Sequence, residues 1–190
     1  MSRGKRIQYN SPVVLTFAII SLIALILNTI TLGATNTLLF SVYRSSPKSI
    51  FTYIRLFCHV FGHANLEHYV SNMMMFLLLG PIVEEKYGSK NLVSLIAITA
   101  VCTGLVNLLL FSKAALLGAS GVVFCLVVLA SMTSFSSGRI PLTMILVMVL
   151  YLGQEIYTGL FTRDNVSQLT HIVGGVIGCV YGYTHSYRRS

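Results

Sequence analysis

Six stretches of this 190-residue sequence are long, apolar and almost free of charge, at about 13–32, 60–83 (apart from Glu67), 91–112, 116–136, 140–162 (apart from Glu155) and 167–186. About 20 apolar residues carry a helix across the hydrocarbon core of a bilayer, and each stretch meets that length. Only 9% of the residues are charged, 55% are apolar, and the mean hydropathy is +0.79. A soluble domain carries about 25% charged residues, so this chain has too little charge to coat a surface that faces water. The predicted fold class is an all-α membrane protein with six transmembrane helices. Six spans take up roughly 120 residues, which leaves ends and loops and no separate soluble domain. The expected organisation is an N-terminal segment 1–12, a membrane domain 13–186 and a tail 187–190. A basic start before an apolar stretch also resembles a signal peptide, but 13–32 is long enough to span and is read as a helix.

The net charge of +8 has to be read by position. An even number of spans puts both termini on one side, together with the second and fourth loops. That side holds eight basic residues (Arg3, Lys5, Arg6, Lys86, Lys90, Arg139, Arg188 and Arg189), and the other holds five (Arg44, Lys48, Arg55, Lys113 and Arg163). The excess marks the termini as cytoplasmic. These charges set topology and form no stripe for nucleic acid, so no nucleic-acid partner is expected. Cys58, Cys102, Cys125 and Cys179 stand at no metal or redox spacing and read as small core residues.

A polar side chain inside a span needs a partner or a wet cavity, which makes it informative. The second span carries His63, His68 and Asn72, the fourth opens with Leu117-Gly-Ala-Ser-Gly121, and the sixth opens with His171 followed by Gly174 and Gly178. Ser120 lies seven residues after Lys113, and His171 lies seven after Asp164. Helices rising from the same face at 1.5 Å per residue would bring hydroxyl and imidazole to matched depth. Such a pair suits nucleophilic acyl transfer, in which the hydroxyl gives its proton to the imidazole as it attacks a carbonyl. Small neighbours at Gly118, Ala119 and Gly121 would admit a peptide backbone. The free N–H groups at a helix start, with His68 and Asn72 one turn apart on a single face, would hold an oxyanion. Taken singly, Gly118 to Gly121 also suits small-residue helix packing. His63, His68 and Asn72 also suit a structural hydrogen-bond network. A metal site fits less well, because no carboxylate or thiolate joins them at ligand spacing.

Taken together, the sequence from about Arg55 to the end of the sixth span resembles the rhomboid intramembrane serine proteases. The resemblance rests on Arg55 with His59, His63-x4-His68-x3-Asn72, Leu79-Gly-Pro-Ile-Val-Glu-Glu-Lys-Tyr-Gly88, Gly118-Ala-Ser-Gly121 and His171-x2-Gly-x3-Gly178. It implies a Ser–His dyad with Ser120 as nucleophile and His171 as general base. It also implies that His68 and Asn72 line the oxyanion site, that Gly118 forms the close-packed turn before the serine, and that Glu84 anchors helix ends near the cytoplasmic face. Arg55, His59 and His63 would support the first loop and second helix, and Gly121, Gly174 and Gly178 would serve helix packing. The family often has Trp-Arg in the first loop, whereas here Ile54 precedes Arg55 and the chain has no Trp. Many members have Tyr four residues after the serine; Phe124 stands there, and its ring would still stack on His171.

These readings predict an endopeptidase that cleaves transmembrane segments, with membrane proteins and lipid as partners and with no cofactor or metal. A compact chain of this kind points to a prokaryotic inner membrane. The alternative is a catalytically silent rhomboid-like protein that binds membrane helices, although such relatives commonly lack the serine or the histidine. A channel would have polar residues through the whole depth of the bilayer rather than toward one side. Glu155 near the outer end of the fifth span reads as a snorkelling interface residue with gating as the other option, and Asn165-Val-Ser167 as a chance sequon.

Overall fold

The structure, a computed structural model, describes residues 9–111, 114–132 and 165–187, with further helical positions at 142, 145–146 and 149–150. Most of the expected fifth span, with Glu155, lies outside the described residues, as do the sequon side chains, residues 1–8 and 188–190. All regular elements among the described residues are helical, apart from one isolated β-bridge. They are α1 (Pro12–Ile30), α2 (Ile50–Cys58), α3 (Leu66–Tyr87), α4 (Ser89–Leu110), α5 (Ser120–Ser131) and α6 (Asn165–Tyr187). Helices α1, α3 and α4 are long and apolar enough to cross a membrane.

The start of α1 is held from a distance. Pro12 opens the helix, where a missing N–H is harmless. The next two N–H groups, of Val13 and Val14, donate to the two carboxylate oxygens of Glu84, each at 3.1 Å. Ser89 Oγ donates to the same carboxylate at 2.7 Å. One buried carboxylate thus ties the end of α3 to the starts of α1 and α4, at the helix pole that favours negative charge. Away from this contact, α1 turns Ile19, Ile23, Ile26 and Leu27 outward, an apolar row suited to lipid.

The first loop is more structured than its Gly33, Pro47 and charged residues suggest. It holds a π-helical turn at Asn36–Phe40, helix α2 and a 3-10 turn at His59–Phe61. Helix α2 turns Ile50, Phe51, Tyr53 and Phe57 outward and buries Arg55. That guanidinium lies over the Tyr43 ring at 4.3 Å and donates to Ser45 Oγ at 2.6 Å. The buried charge and exposed apolar side chains reverse the pattern of a helix in water, which is why a water-based reading leaves this segment as loop.

Two expected helix starts move. Helix α3 begins at Leu66 rather than near 60, because the Asn65 side chain caps it by accepting from the His68 N–H at 2.8 Å. His63 therefore precedes the helix. Helix α5 begins at Ser120 itself, so residues 116–119 of the expected fourth span approach it as non-helical chain. With 12 residues it is about 18 Å long, and Val122, Cys125, Leu126 and Leu129 are fully buried. Its main partner is α6.

Candidate active site

The α5–α6 contact is made backbone to backbone. A Cβ on Gly174 would strike the carbonyl oxygen of Gly121, and one on Gly178 would strike that of Cys125. The glycines recur every fourth residue on α6 and face residues that recur every fourth on α5, so the helices meet along matching rows with no side chain between them. This close approach sets the candidate dyad. Gly121 follows Ser120, and Thr170, which precedes His171, puts its carbonyl oxygen 3.5 Å from where a Gly121 Cβ would stand. One turn along α5 from Ser120, the Phe124 ring lies on the His171 ring with centroids 4.2 Å apart and planes 7° from parallel. Ser120, Phe124 and His171 are each part-exposed.

The turn before Ser120 depends on Gly118, whose φ of +124° disfavours any side chain. A Cβ there would also meet His68 Cε1 at 2.8 Å and Nε2 at 2.9 Å. The His68 imidazole therefore lies directly on the backbone that leads to Ser120. Asn72 is buried and donates one amide proton to the His68 carbonyl at 2.8 Å, which leaves its second N–H. Ser120, Gly121 and Val122 are the first residues of α5, so their N–H groups have no acceptor within the helix.

Behind this group lies a buried layer. The His59 ring meets Leu56 O at 3.2 Å through Nδ1 and Thr103 Oγ1 at 3.3 Å through Nε2. Its carbonyl accepts from Gly118 N–H at 3.0 Å. His63 is fully buried, with Nδ1 on Phe61 O at 3.1 Å and its ring edge-on to His68 at 5.1 Å. His59, Thr103, Gly118, Ser120, Gly121 and Thr170 border an interstice too narrow for a water molecule, so the α4 side of the serine is closed. Among the described residues no cluster of three or more His, Cys, Asp or Glu could hold a metal.

Sequence reasoning passed over α4 in this site. Thr99, Thr103 and Asn107 recur every fourth residue on one buried face, and that polar period inside an apolar run was the available signal. Residues 114–119 do not rise as a helix, and the glycine contact sets the depth of Ser120 and His171.

These helices and their buried polar layer define an all-α integral membrane protein. The family description Rhomboid domain matches residues 51–188, well over half the chain, and the chain belongs to the rhomboid family. It is similar to Rhomboid-related protein 1 of Caenorhabditis elegans, with 28% identity over 142 residues that cover 70% of this chain and 40% of that one. The chain therefore spans about 40% of the length of that relative.

Proposed function

We propose that this protein is an intramembrane serine endopeptidase, with six spans between about 13 and 186 and both termini cytoplasmic. A transmembrane substrate helix unwinds near its outer end and presents a peptide bond to Ser120. His171 takes the hydroxyl proton as Oγ bonds to the carbonyl carbon. The oxyanion is held by the unpaired N–H groups at the start of α5, with the His68 ring and the remaining Asn72 N–H beside it. One such donor is worth about 2.7–4 kcal/mol in the transition state. His171 then gives its proton to the departing amine, and water, deprotonated by the same imidazole, releases the acyl group. The observation that carries this reading is the stacking of Phe124 on His171 at 4.2 Å, beside a glycine contact that leaves no side chain between α5 and α6. The His171 imidazole thus packs on the ring one helical turn along α5 from Ser120, which supports their reading as a pair.

The test is cleavage of a single-span substrate by the purified protein in liposomes. Ser120→Ala and His171→Ala are each expected to abolish cleavage in folded protein, and Asn72→Ala to weaken it without moving the cut. Cleavage that persists in Ser120→Ala would overturn the dyad. A wild-type chain that binds the substrate helix without cutting it would favour the silent rhomboid-like alternative.

A further inference from the structure

Residues 114–119 lead to Ser120 without helix, and other parts of the chain hold them in place. The N–H groups of Val42 and Leu116 each donate to the other's carbonyl at 2.8 Å, an isolated antiparallel bridge between the first loop and this approach. Two residues further on, Gly118 is fixed to the His59 carbonyl. At the head of the bridge stands Asn107 of α4, with no solvent exposure. Its Nδ2 donates to Val42 O at 3.0 Å and to Ala114 O at 3.2 Å. Both amide protons are thus used, one on the first loop and one on the approach to the serine. Because both acceptors are carbonyls, the amide cannot be turned over, and Oδ1 is left buried with no hydrogen-bond partner. An unpaired buried acceptor is destabilising, so Asn107 does not serve its own solvation. What it supplies is the junction.

We infer that Asn107 is a positioning residue that couples the seat of Ser120 to the first loop. The path is continuous. Arg55 of α2 holds Ser45, Val42 lies three residues before Ser45, Val42 is bridged to Leu116, and Gly118 fixes the turn into Ser120. A displacement of the first loop, whose α2 faces outward with Phe51, Tyr53 and Phe57, therefore reaches the nucleophile and the N–H groups beside it. The effect on catalysis rests on the reading of Ser120 as the nucleophile, whereas the clamp itself does not.

Asn107→Leu keeps the volume, removes both donors and removes the unpaired oxygen, so it tests position rather than stability. In the full-length protein it is expected to lower kcat by up to about a hundred-fold with KM unchanged, the penalty of a small misplacement of reacting groups. Labelling of Ser120 by a fluorophosphonate is expected to slow in parallel. A Val42→Cys/Leu116→Cys pair added to Asn107→Leu, at a separation that antiparallel partners can bridge, is expected to restore both rates when oxidised and to lose them when reduced. A kcat within two-fold of wild type, or a loss that a verified cross-link leaves unchanged, overturns the inference. Hydrogen exchange separates this outcome from failure of the protease reading. Asn107→Leu is expected to expose the Leu116 and Gly118 amides while α5 stays protected, whether or not the wild-type chain cleaves. Unchanged exchange at both amides overturns the clamp. If Asn107→Leu does not fold, Arg55→Gln tests the same path from the first loop: slower fluorophosphonate labelling supports it and unchanged labelling overturns it.

Discussion

At Gly174 the helices that carry the candidate dyad touch through backbone atoms, and two neighbouring residues report the contact differently. A Cβ on Gly174 would strike the Gly121 carbonyl, which cannot move aside as a flexible side chain could, whereas a Cβ on Gly175 would find only Val128 Cγ2 at 3.7 Å, ordinary contact. Gly174→Ala is therefore expected to lower stability by about 1–3 kcal/mol or more, as overpacking does, and to separate Ser120 from His171. Gly175→Ala is expected to be neutral or stabilising, because alanine is about 1 kcal/mol better than glycine in a helix. Thermal melting of the two variants in the same detergent checks the pair, and equal loss would show that the glycine row does not set helix spacing. Phe124 permits a narrower prediction. The stacked contact between its ring and His171 is of a kind worth about 0.5–1.5 kcal/mol beyond area burial. Phe124→Ala should thus reduce kcat about 2- to 13-fold by freeing the imidazole, and Phe124→Leu should recover little, since an aliphatic side chain offers no face to stack on. Cleavage rates at saturating substrate decide the matter.

Between elements, the Glu84 carboxylate governs three helices at once, and its removal leaves the N–H groups of Val13 and Val14 and the Ser89 hydroxyl without the acceptor they now use. A buried donor left unsatisfied costs about 1–3 kcal/mol. Glu84→Ala is expected to melt well below wild type, and Glu84→Gln in between, because an amide has one acceptor oxygen where the carboxylate has two. Limited proteolysis near Tyr9 should become faster in the same order. Glu84 was legible as an anchor of helix ends only through the resemblance that its surrounding motif, Leu79 to Gly88, carries. Its particular partner was not, because Val13 lies 71 residues away and apolar residues give no sign of whose backbone they expose. The long spans were legible for the reason that the bilayer fixes their length. Helix α2 was not, because a short segment that buries Arg55 and exposes phenylalanine defeats patterns calibrated on water. Ser120 and His171 were legible because polar groups are rare in such runs. Asn107 and Thr103 are equally polar, yet they went unread because their partners, backbone carbonyls and for Thr103 also the His59 ring, form no recognisable chemical pair in the sequence.

For the whole molecule, the contacts place the start of α1 and the end of α6 at one pole. The start of α1 is capped by Glu84, three residues before Tyr87. The Tyr87 ring meets Tyr181 at 5.7 Å and His185 at 6.4 Å, near the end of α6. The first and last described helices therefore begin and end at one pole of the bundle. Val42 and Leu116 lie toward the other end of α4, at Asn107, and Ser120 lies beside Thr103, past the middle of that helix from Ser89. Lys86 and Lys90 stand at the shared pole, and the sequence adds Arg3, Lys5 and Arg6 before α1 and Arg188 and Arg189 after α6. Positive charge in short flanking segments is retained on the cytoplasmic side, so this pole is expected to face the cytoplasm and the Ser120 region the opposite compartment. Single cysteines at Ser2, Ser190 and Lys48, in a chain with its four native cysteines replaced, test the orientation in intact cells. A membrane-impermeant maleimide is expected to label Lys48→Cys directly, and Ser2→Cys and Ser190→Cys only after permeabilisation. Direct labelling of either terminus would reverse the topology. Water for hydrolysis would then have to reach Ser120 from the cytoplasmic side, and the substrate would be cut at the end nearer the cytoplasm instead of the outer end.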